Sequence, residues 1–209
     1  LRLCQEGEPS MATAPERKEM LATARYLFNT RGYDRVSMRQ LAEALHMAVG
    51  NLTYYFPRKQ QIVEELMDES FARTRMDVPV VSLTQIDEML SRMLDTLLGN
   101  SFFFLDDAFA GDRRNAEHHQ YLRGRLLQGL GDLTDQGLFR AEFTPEVRET
   151  VLSMLLLTHM TWLRNQVRPR MHAPEELRAA KAAFLRAHWV VLTPYLTHRG
   201  LEELAHMQG

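Results

Sequence analysis

The 209-residue sequence has little cysteine and no long apolar run. Its single cysteine, Cys4, excludes an internal disulfide framework and a cysteine-rich zinc site. The longest apolar stretch, from Val151 to Leu163, is interrupted by polar residues and is shorter than the roughly 20 residues that a membrane-spanning helix needs. Residues 1–10 lack the apolar segment of a secretory signal peptide. We therefore expect a cytoplasmic protein with no membrane partner.

The motifs of common enzymes and metal sites are also missing. Gly124 and Gly129 have the spacing of a phosphate-binding loop, but Leu130-Gly131 follows where Lys and Ser or Thr are required. His118 and His119 are neighbours on a predicted helix and point about 100° apart, so they cannot share a metal as an i, i+4 pair does. The sequence has no G-x-S-x-G motif either. It therefore predicts no catalysis, no cofactor and no bound metal.

Helical periodicity runs through nearly the whole chain. Apolar residues after Pro15 recur three and four positions apart, and no segment alternates as a strand would. Glycine and proline fall mostly where helices should end. The pattern predicts an all-α protein of about nine helices. The expected helices cover residues 15–30, 37–46, 49–55, 59–76, 85–98, 102–109, 115–139, 144–167 and 173–194.

Charge is distributed unevenly along the chain. Residues 11–60 carry eight cationic and four anionic side chains, whereas the chain as a whole has a formal charge of −2. A basic amino-terminal segment joined to an acidic remainder is typical of a nucleic-acid-binding module attached to another domain.

Two short helices within this basic segment predict a helix-turn-helix. Ser37 and Gln40 have the spacing of a capping box at the start of one helix. In the next helix, residues 49–56, only Leu52 and Phe56 look like apolar anchors. The other side chains there are amides, hydroxyls and phenols, which bind base edges and phosphates. The second helix is therefore expected to enter the major groove of DNA.

The same region resembles the amino-terminal module of the TetR family of transcriptional regulators. The resemblance covers about Pro15 to Met67 without gaps. Farther along the chain, Gly137-Leu138-Phe139-Arg140 followed by Thr144-Pro145-Glu146 resembles the family's usual entry into its penultimate helix. The matching positions are Leu27-Phe28, Arg31-Gly32-Tyr33, Ser37-Met38, Leu41-Ala42, Gly50-Asn51-Leu52, Tyr54-Tyr55-Phe56 and Lys59. The resemblance implies an amino-terminal three-helix DNA-binding domain and a larger helical domain for ligand binding and dimerisation.

Specific DNA contacts follow from the resemblance, position by position. It implies that Ser37 and Arg39 touch phosphate or a groove edge, that Gly50 allows close backbone approach and that Asn51 and Thr53 face bases. Tyr54 and Lys59 would bind phosphates, and Tyr55 is expected to be more buried than Tyr54.

Two positions depart from the family pattern. His46 replaces the usual glycine at the helix end, where it would need a left-handed backbone conformation. Thr53 replaces the usual aromatic residue.

The domain boundaries are expected near residues 14 and 60. Because the sequence starts at Leu1 and its first methionine is Met11, residues 1–14 are interpreted as a leader, either disordered or vector-derived. Residues 15–60 would form the DNA-binding domain, and residues 61–209 would form the ligand-binding and dimerisation domain.

The carboxy-terminal domain offers candidate ligand and dimer residues. Its aromatic, thioether and imidazole side chains in central helices are candidates for a small-molecule pocket, with ordinary core packing as the alternative for each: Phe103, Phe104, Tyr121, Met154 and His159. The last predicted helix has two apolar stripes, so one is expected to meet a second subunit. We assign the interface to the stripe of Ala182, Leu185, Trp189 and Leu192. The alternatives are the stripe of Leu177, Phe184, His188, Val191 and Tyr195, and a central helix that is buried on all sides.

The sequence therefore predicts a homodimeric regulator that binds an inverted-repeat operator in double-stranded DNA. The resemblance implies a repressor whose operator affinity falls when a small molecule binds. The alternative is an architectural or activating DNA-binding protein without a small-molecule effector.

Overall fold

The structure is a computed structural model that describes residues 17–167 and 174–208. These residues form ten α-helices and no β-strand beyond one isolated bridge, which confirms the all-α prediction. The helices are α1 (Arg17–Arg31), α2 (Met38–Ala44), α3 (Val49–Tyr55), α4 (Lys59–Thr74), α5 (Leu83–Gly99), α6 (Ser101–Leu105), α7 (Arg113–Asp135), α8 (Pro145–Val167), α9 (Pro174–Leu192) and α10 (His198–Gln208). The predicted leader, residues 1–14, and the predicted helix start at Ala173 lie outside the described residues.

The chain divides into two compact units, with the division after Glu64. The division falls within α4, four residues beyond the predicted boundary. The amino-terminal unit contains α1, α2, α3 and the start of α4. Its buried apolar side chains are Met20, Leu21, Ala24, Leu27, Phe28, Val36, Leu41, Ala42, Leu45, Leu52, Phe56, Ile62 and Val63.

Local sequence signals fix the ends of the first helices. Gly32 has φ +83° and ends α1, a conformation in which a Cβ atom would be strained. Ser37 and Gln40 form the predicted capping box, because the Ser37 hydroxyl accepts from the Gln40 amide and the Gln40 side chain accepts from the Ser37 amide. His46 follows α2 with φ +53°, as expected for a residue at the usual glycine position.

The carboxy-terminal unit packs α5, α7, α8 and α9 around one apolar core. Ile86 and Leu90 of α5, Leu126 of α7 and Leu152 of α8 are among its buried side chains. Trp189 of α9 joins the same core. Its indole Nε1 donates to Asp87 Oδ1 at 2.7 Å, so the ring's polar atom is satisfied inside the unit.

A tenth helix, α10, follows the predicted last helix, residues 173–194. The sequence pattern predicted about nine helices because Pro194 is typical of a kink or an end of a helix. Leu196 pairs with Phe139 in an isolated antiparallel bridge, and the Thr197 amide donates to the Leu138 carbonyl at 3.0 Å. This pairing redirects the chain and places α10 beside the segment that follows α7.

The same segment explains why α7 ends at Asp135, whereas the sequence pattern predicted an end near Phe139. Gly137 has φ +77°, which breaks the helix, and the Leu138 amide returns to the Leu133 carbonyl at 2.9 Å. Leu138 and Phe139 are then free of the helix and become fully buried core residues.

We expect Gly200→Ala to destabilise the protein strongly. A Cβ atom at Gly200 would lie 2.3 Å from the Leu138 carbonyl oxygen, a backbone atom that cannot move away without breaking the α10 contact. The expected loss is about 2–3 kcal/mol in the free energy of unfolding, measured by urea titration.

Gly124→Ala is the matched control for this test. Gly124 lies inside α7, and a Cβ there meets nothing within 4 Å. Alanine should therefore stabilise the helix by up to about 1 kcal/mol. Equal stabilities of the two variants would contradict the close approach of Gly200 to Leu138.

Candidate DNA-binding surface and ligand cavity

Helix α3 presents polar side chains to solvent from a buried apolar base. Leu52 and Phe56 are each 1% exposed, whereas Tyr54 is 84% exposed. Asn51 is also exposed. Tyr55 is 38% exposed, which confirms that it is the more buried of the two tyrosines. The outer face of α3 therefore carries an amide and a phenol that take no part in core packing.

The flanking predicted contact residues lie on the surface as well. Arg39 is exposed on α2, and Gly50 has open space where a Cβ would be, so another molecule can approach its backbone. Thr53 is half-buried, and its hydroxyl donates to the Gly50 carbonyl at 3.0 Å. Ser37 is exposed, with its hydroxyl engaged in the capping box. Of these side chains, Asn51 and Arg39 are the most available for base edges.

Lys59 has a role that the sequence did not indicate. Its ammonium donates to the carbonyls of Tyr33 and Val36 at 2.8 and 2.9 Å and lies 3.8 Å from the centre of the Tyr33 ring. These contacts tie the start of α4 to the turn before α2. Lys59 therefore helps to fix the position of α2 and α3 within the amino-terminal unit. Its predicted contact with phosphate would be additional to this role.

The carboxy-terminal unit contains a cavity of about 450 Å³ with mainly apolar walls. Phe104 and His159, two of the predicted pocket residues, line it. The full lining is Thr74, Met93, Thr96, Leu97, Phe104, Gly111, Asp112, Asn115, Ala116, His118, His119, Leu122, Leu156, His159 and Met160. Its size falls within the range of about 300–1,000 Å³ that is usual for small-molecule sites.

The other three predicted pocket residues lie elsewhere. Phe103 is 2% exposed and packs edge-to-face against Phe104, because consecutive aromatic residues on a helix cannot share one face. Tyr121 lines a neighbouring cavity of about 420 Å³ and donates from its hydroxyl to Asp77 Oδ1 at 2.9 Å. Met154 is 63% exposed on α8, outside both cavities.

His118 and His159 are the titratable groups with the strongest perturbation at the cavity. The ring of His118 stacks on Phe71 with centroids 4.0 Å apart, and its Nε2 lies 2.8 Å from Thr74 Oγ1. Burial, with smaller effects of Arg75 and His119, lowers the pKa of His118 to about 4. Burial, followed by the effect of His188, lowers the pKa of His159 to about 4. Both rings are therefore neutral at pH 7.

Sequence reasoning missed most of the polar cavity lining. It considered His118 and His119 only as metal ligands, although both line the cavity. In the described part of the chain, no three His, Cys, Asp or Glu side chains cluster closely enough to hold a metal ion. The signal that could have indicated His118 is its position on the same face of α7 as the buried Leu122, four residues later.

Comparisons with known proteins match this architecture. Residues 20–66 match the profile described as bacterial regulatory proteins of the tetR family. Over 178 residues the chain is 26% identical to the HTH-type transcriptional repressor KstR of Rhodococcus jostii strain RHA1, covering 79% of this chain and 77% of that protein.

Residues 20–66 therefore form a tetR-family module. The matched family consists of bacterial regulatory proteins and the Rhodococcus relative is a transcriptional repressor, so both are regulators and not enzymes. Solved structures share its fold. A TetR-family regulator from Marinobacter aquaeolei VT8 superposes with a TM-score of 0.73 at 20% identity, covering 93% of this chain and 98% of that one. For the ketosteroid transcriptional regulator KstR2 of Mycobacterium tuberculosis the TM-score is 0.63 at 19% identity, with 87% and 95% covered.

The stripe predicted as the dimer interface faces inward. Trp189 and Leu192 are each 2% exposed in the core, and Leu185 packs partly buried against it. The alternative stripe is also turned inward at His188, which is 1% exposed. Ala182 is half-buried. The stripe that contains Trp189 therefore packs within the subunit, whereas Val191 of the alternative stripe is exposed.

The carboxy-terminal unit also exposes large apolar side chains on α8 and α9. Met154 and Leu157 on α8 are 63% and 75% exposed, and Val190 and Val191 on α9 are 71% and 44% exposed. None of the described helices is long and apolar enough to cross a membrane.

We expect the stability of the carboxy-terminal unit to fall as the pH decreases from 6.5 towards 4. The unfolded chain binds a proton at His159 near pH 6.5, whereas the folded state resists protonation until about pH 4. Between pH 7.5 and pH 5, this residue alone should reduce the free energy of unfolding by about 2 kcal/mol.

The variant His159→Leu should lose that part of the pH dependence in urea titrations at the two pH values. The exposed His206 provides the control, since His206→Leu should keep the wild-type difference. An unchanged pH dependence in His159→Leu would contradict burial of a neutral imidazole at this position.

Proposed function

We propose that this chain is a homodimeric, cytoplasmic repressor that binds an inverted-repeat operator and releases it when a small molecule occupies the cavity of about 450 Å³. The observation that carries the proposal is the pairing of an exposed polar face on α3 with a separate, mainly apolar cavity in the carboxy-terminal unit.

The contacts with DNA divide into two kinds. Asn51 and Arg39 carry an amide and a guanidinium, which can bind base edges and so choose sequence. Tyr54 offers a hydroxyl to phosphate, and Gly50 lets the backbone come close. Ser37 and Lys59 contribute first by holding α2 and α3 in place, through the capping box and the two carbonyl contacts. Thr53 lies at the edge of the same face.

The cavity favours a ligand-responsive regulator over an architectural protein without an effector. A fully packed core would have left no space of this size. The polar residues that line the cavity, His118, His159 and Asn115, offer groups that could orient a ligand. A ligand changes operator affinity only if it binds the DNA-competent and incompetent forms differently. Helix α4 is the natural lever, because it begins with Lys59 and ends with Thr74 at the cavity wall.

The sign of regulation rests on the Rhodococcus relative. That protein is a transcriptional repressor, and the present chain aligns with it over most of both lengths. Repression follows physically if the operator overlaps a promoter, because a bound dimer then excludes polymerase.

The exposed face of α8 and α9 is our proposed dimer interface. Met154 and Leu157 are three residues apart on α8 and share one face of that helix. Ala183 and Val190 are seven residues apart on α9 and share one face in the same way. Two such helices from each of two subunits could form a four-helix contact around a two-fold axis. This assignment replaces the stripe of Ala182, Leu185, Trp189 and Leu192.

We expect selection from a random duplex library to enrich an inverted repeat whose half-sites lie about one helical turn or somewhat more apart.

On the selected operator, Asn51→Ala should lower affinity by about tenfold while changing binding to random DNA little. Tyr54→Phe should weaken both equally and leave the steepness of the salt dependence unchanged, because a neutral hydroxyl releases no counterion from the phosphate. Affinities would be measured by fluorescence anisotropy over a salt titration.

Gln120→Ala, which removes an exposed amide from α7, is the control and should leave both affinities unchanged. Enrichment of no sequence at low salt would contradict operator recognition. Equal losses of Asn51→Ala on operator and random DNA would show that Asn51 binds phosphate instead of bases.

We expect Leu157→Glu to convert the dimer into a monomer in light-scattering chromatography. A carboxylate buried at the two-fold contact would have no partner and would repel its symmetry copy. Loss of the dimer should also reduce operator affinity, since each monomer reads one half-site.

Leu201→Glu is the matched control for the interface. Leu201 is 40% exposed on α10 and lies off the proposed face, so its variant should remain dimeric. A dimeric Leu157→Glu variant would refute the α8–α9 assignment.

A further inference from the structure

We propose that Arg35 and Arg58 form a phosphate-binding patch beside α3, and that Lys59 builds this patch by joining the two turns that carry them. This inference rests on the proposed binding of DNA by the amino-terminal unit. The family resemblance predicts a phosphate contact for Lys59 itself. In the structure Lys59 binds within the unit, whereas Arg35 and Arg58 lie on its surface.

The turn between α1 and α2 holds Arg35 between two anchored residues. Val36 is fully buried, and the ring of Tyr33 packs edge-to-face on the buried ring of Phe28, with centroids 5.4 Å apart. The Val36 amide donates to the Tyr33 carbonyl at 3.2 Å, which closes the turn around Asp34 and Arg35. Both enclosed side chains are exposed. The backbone at Arg35 is therefore fixed, while its guanidinium is accessible to another molecule.

Arg58 is held in a similar way in the turn between α3 and α4. Phe56, two residues earlier, is 1% exposed. The Arg58 amide donates to Gln61 Oε1 at 3.1 Å, and the Arg58 carbonyl accepts from the Gln61 amide at 3.0 Å. The Arg58 side chain is exposed. Both turns thus combine a fixed backbone with an accessible guanidinium.

Lys59 connects the two turns, because it directly follows Arg58 and its side chain reaches the turn of Arg35. Its ammonium donates to the carbonyls of Tyr33 and Val36, which flank Asp34 and Arg35, at 2.8 and 2.9 Å. Two of the hydrogens of the ammonium are therefore committed to the protein. The residue is half-buried, so its charge is less accessible to DNA than that of Arg58. The contact places the turns of Arg35 and Arg58 side by side.

No neighbouring acid neutralises these two arginines. In the part of the chain that the structure describes, neither guanidinium has a carboxylate oxygen within 4.0 Å. In the carboxy-terminal unit, by contrast, Arg113 lies 2.6 Å from Glu117. Residues 33–36 and 57–60 together carry three cations and one anion, Asp34. Guanidinium groups suit phosphate because they form paired, charge-assisted hydrogen bonds with its oxygens.

The place of Arg58 in the chain fits the geometry of a helix in the major groove. The seven residues of α3 extend about 10 Å, and the groove is about 12 Å wide. Residues just beyond the end of such a helix therefore lie near a groove edge, where the phosphates are. Arg58 follows Tyr55, the last residue of α3, by three positions. Arg35 extends the same positive surface through the contact that Lys59 makes.

The salt dependence of DNA binding by the full-length protein tests the patch. Each phosphate that a cation neutralises steepens the plot of log affinity against log salt by about 0.9. We expect Arg35→Gln and Arg58→Gln each to reduce this slope by about 0.9, and the double variant to reduce it by about 1.8. Each variant should weaken operator and random duplex by the same factor, because phosphates carry no sequence. Fluorescence anisotropy over a salt titration measures both.

Arg92→Gln is the matched control. Arg92 is an exposed cation on α5 in the other unit, so its variant should keep the wild-type slope. An unchanged slope in either Arg35→Gln or Arg58→Gln would overturn the patch of two residues. A loss of affinity on the operator alone would also overturn it, because it would indicate a contact with bases.

Asp34→Asn tests the patch with the opposite sign. Removing the carboxylate from the turn of Arg35 should strengthen binding to random duplex at low salt by about twofold or more. Asp107→Asn, which removes an exposed carboxylate from the carboxy-terminal unit, should leave this affinity unchanged. Unchanged or weaker binding by Asp34→Asn would contradict a phosphate beside Arg35.

Lys59→Met separates the building role from phosphate binding. Methionine keeps an unbranched side chain but leaves the Tyr33 and Val36 carbonyls without their donor. We expect Lys59→Met to lower the urea midpoint of unfolding, whereas Arg35→Gln and Arg58→Gln keep the wild-type midpoint. A Lys59→Met variant with wild-type stability and a slope reduced by about 0.9 would show that Lys59 binds phosphate itself, and would overturn the proposed role.

These measurements distinguish failure of the patch from failure of the proposed function. If the wild-type protein binds DNA and the arginine variants keep its slope, the patch fails and the proposed function stands. If the slopes change as expected on random duplex but selection enriches no operator, the patch stands and operator recognition fails. If the protein binds no duplex at low salt, DNA binding itself is refuted.

Discussion

Helix α3 has seven residues, fewer than the roughly 12–15 that an isolated helix needs in water, so its shape depends on tertiary contacts. Leu52 and Phe56, one turn apart, supply them by burying almost their entire side chains. Every polar group that α3 presents to solvent is positioned by those two anchors. Lys59 adds a second constraint, since its ammonium binds the carbonyls before α2 and holds the adjoining turn. The DNA-binding surface is therefore rigid because its reverse side is buried.

The carboxy-terminal unit shows a different balance between packing and polar groups. Its core is apolar and well filled around Trp189, yet one side of it opens into a cavity with histidine on the walls. Keeping a neutral imidazole there costs less than burying a charge, and burial itself maintains the neutral form. His118 connects this wall to α4 through its stack on Phe71 and its contact with Thr74. A change at the cavity thus has a short physical route to the end of α4.

The two units also differ in how far local sequence specifies them. In the amino-terminal unit, the capping box at Ser37 and Gln40 and the helix bounds of α3 were predictable, because each depends on residues at most four positions apart. The left-handed backbone at His46 was likewise expected from its place after α2. In the carboxy-terminal unit, the apolar pattern predicted helices but could not rank their faces. Helix α9 has apolar residues on most of its circumference, and periodicity cannot say which neighbours cover them.

The sequence by itself determined the all-α class, the tetR-family module at residues 20–66 and the polar face of α3, because these depend on local spacing and on short-range hydrogen bonds. Only the tertiary structure decided that Trp189 is a core residue, through its bond to Asp87, which lies 102 positions earlier in the chain. It also decided that Met154 faces solvent and that His118 lines a cavity. Those outcomes depend on which helices pack together, and packing is set by the sum of many distant contacts that no local pattern records.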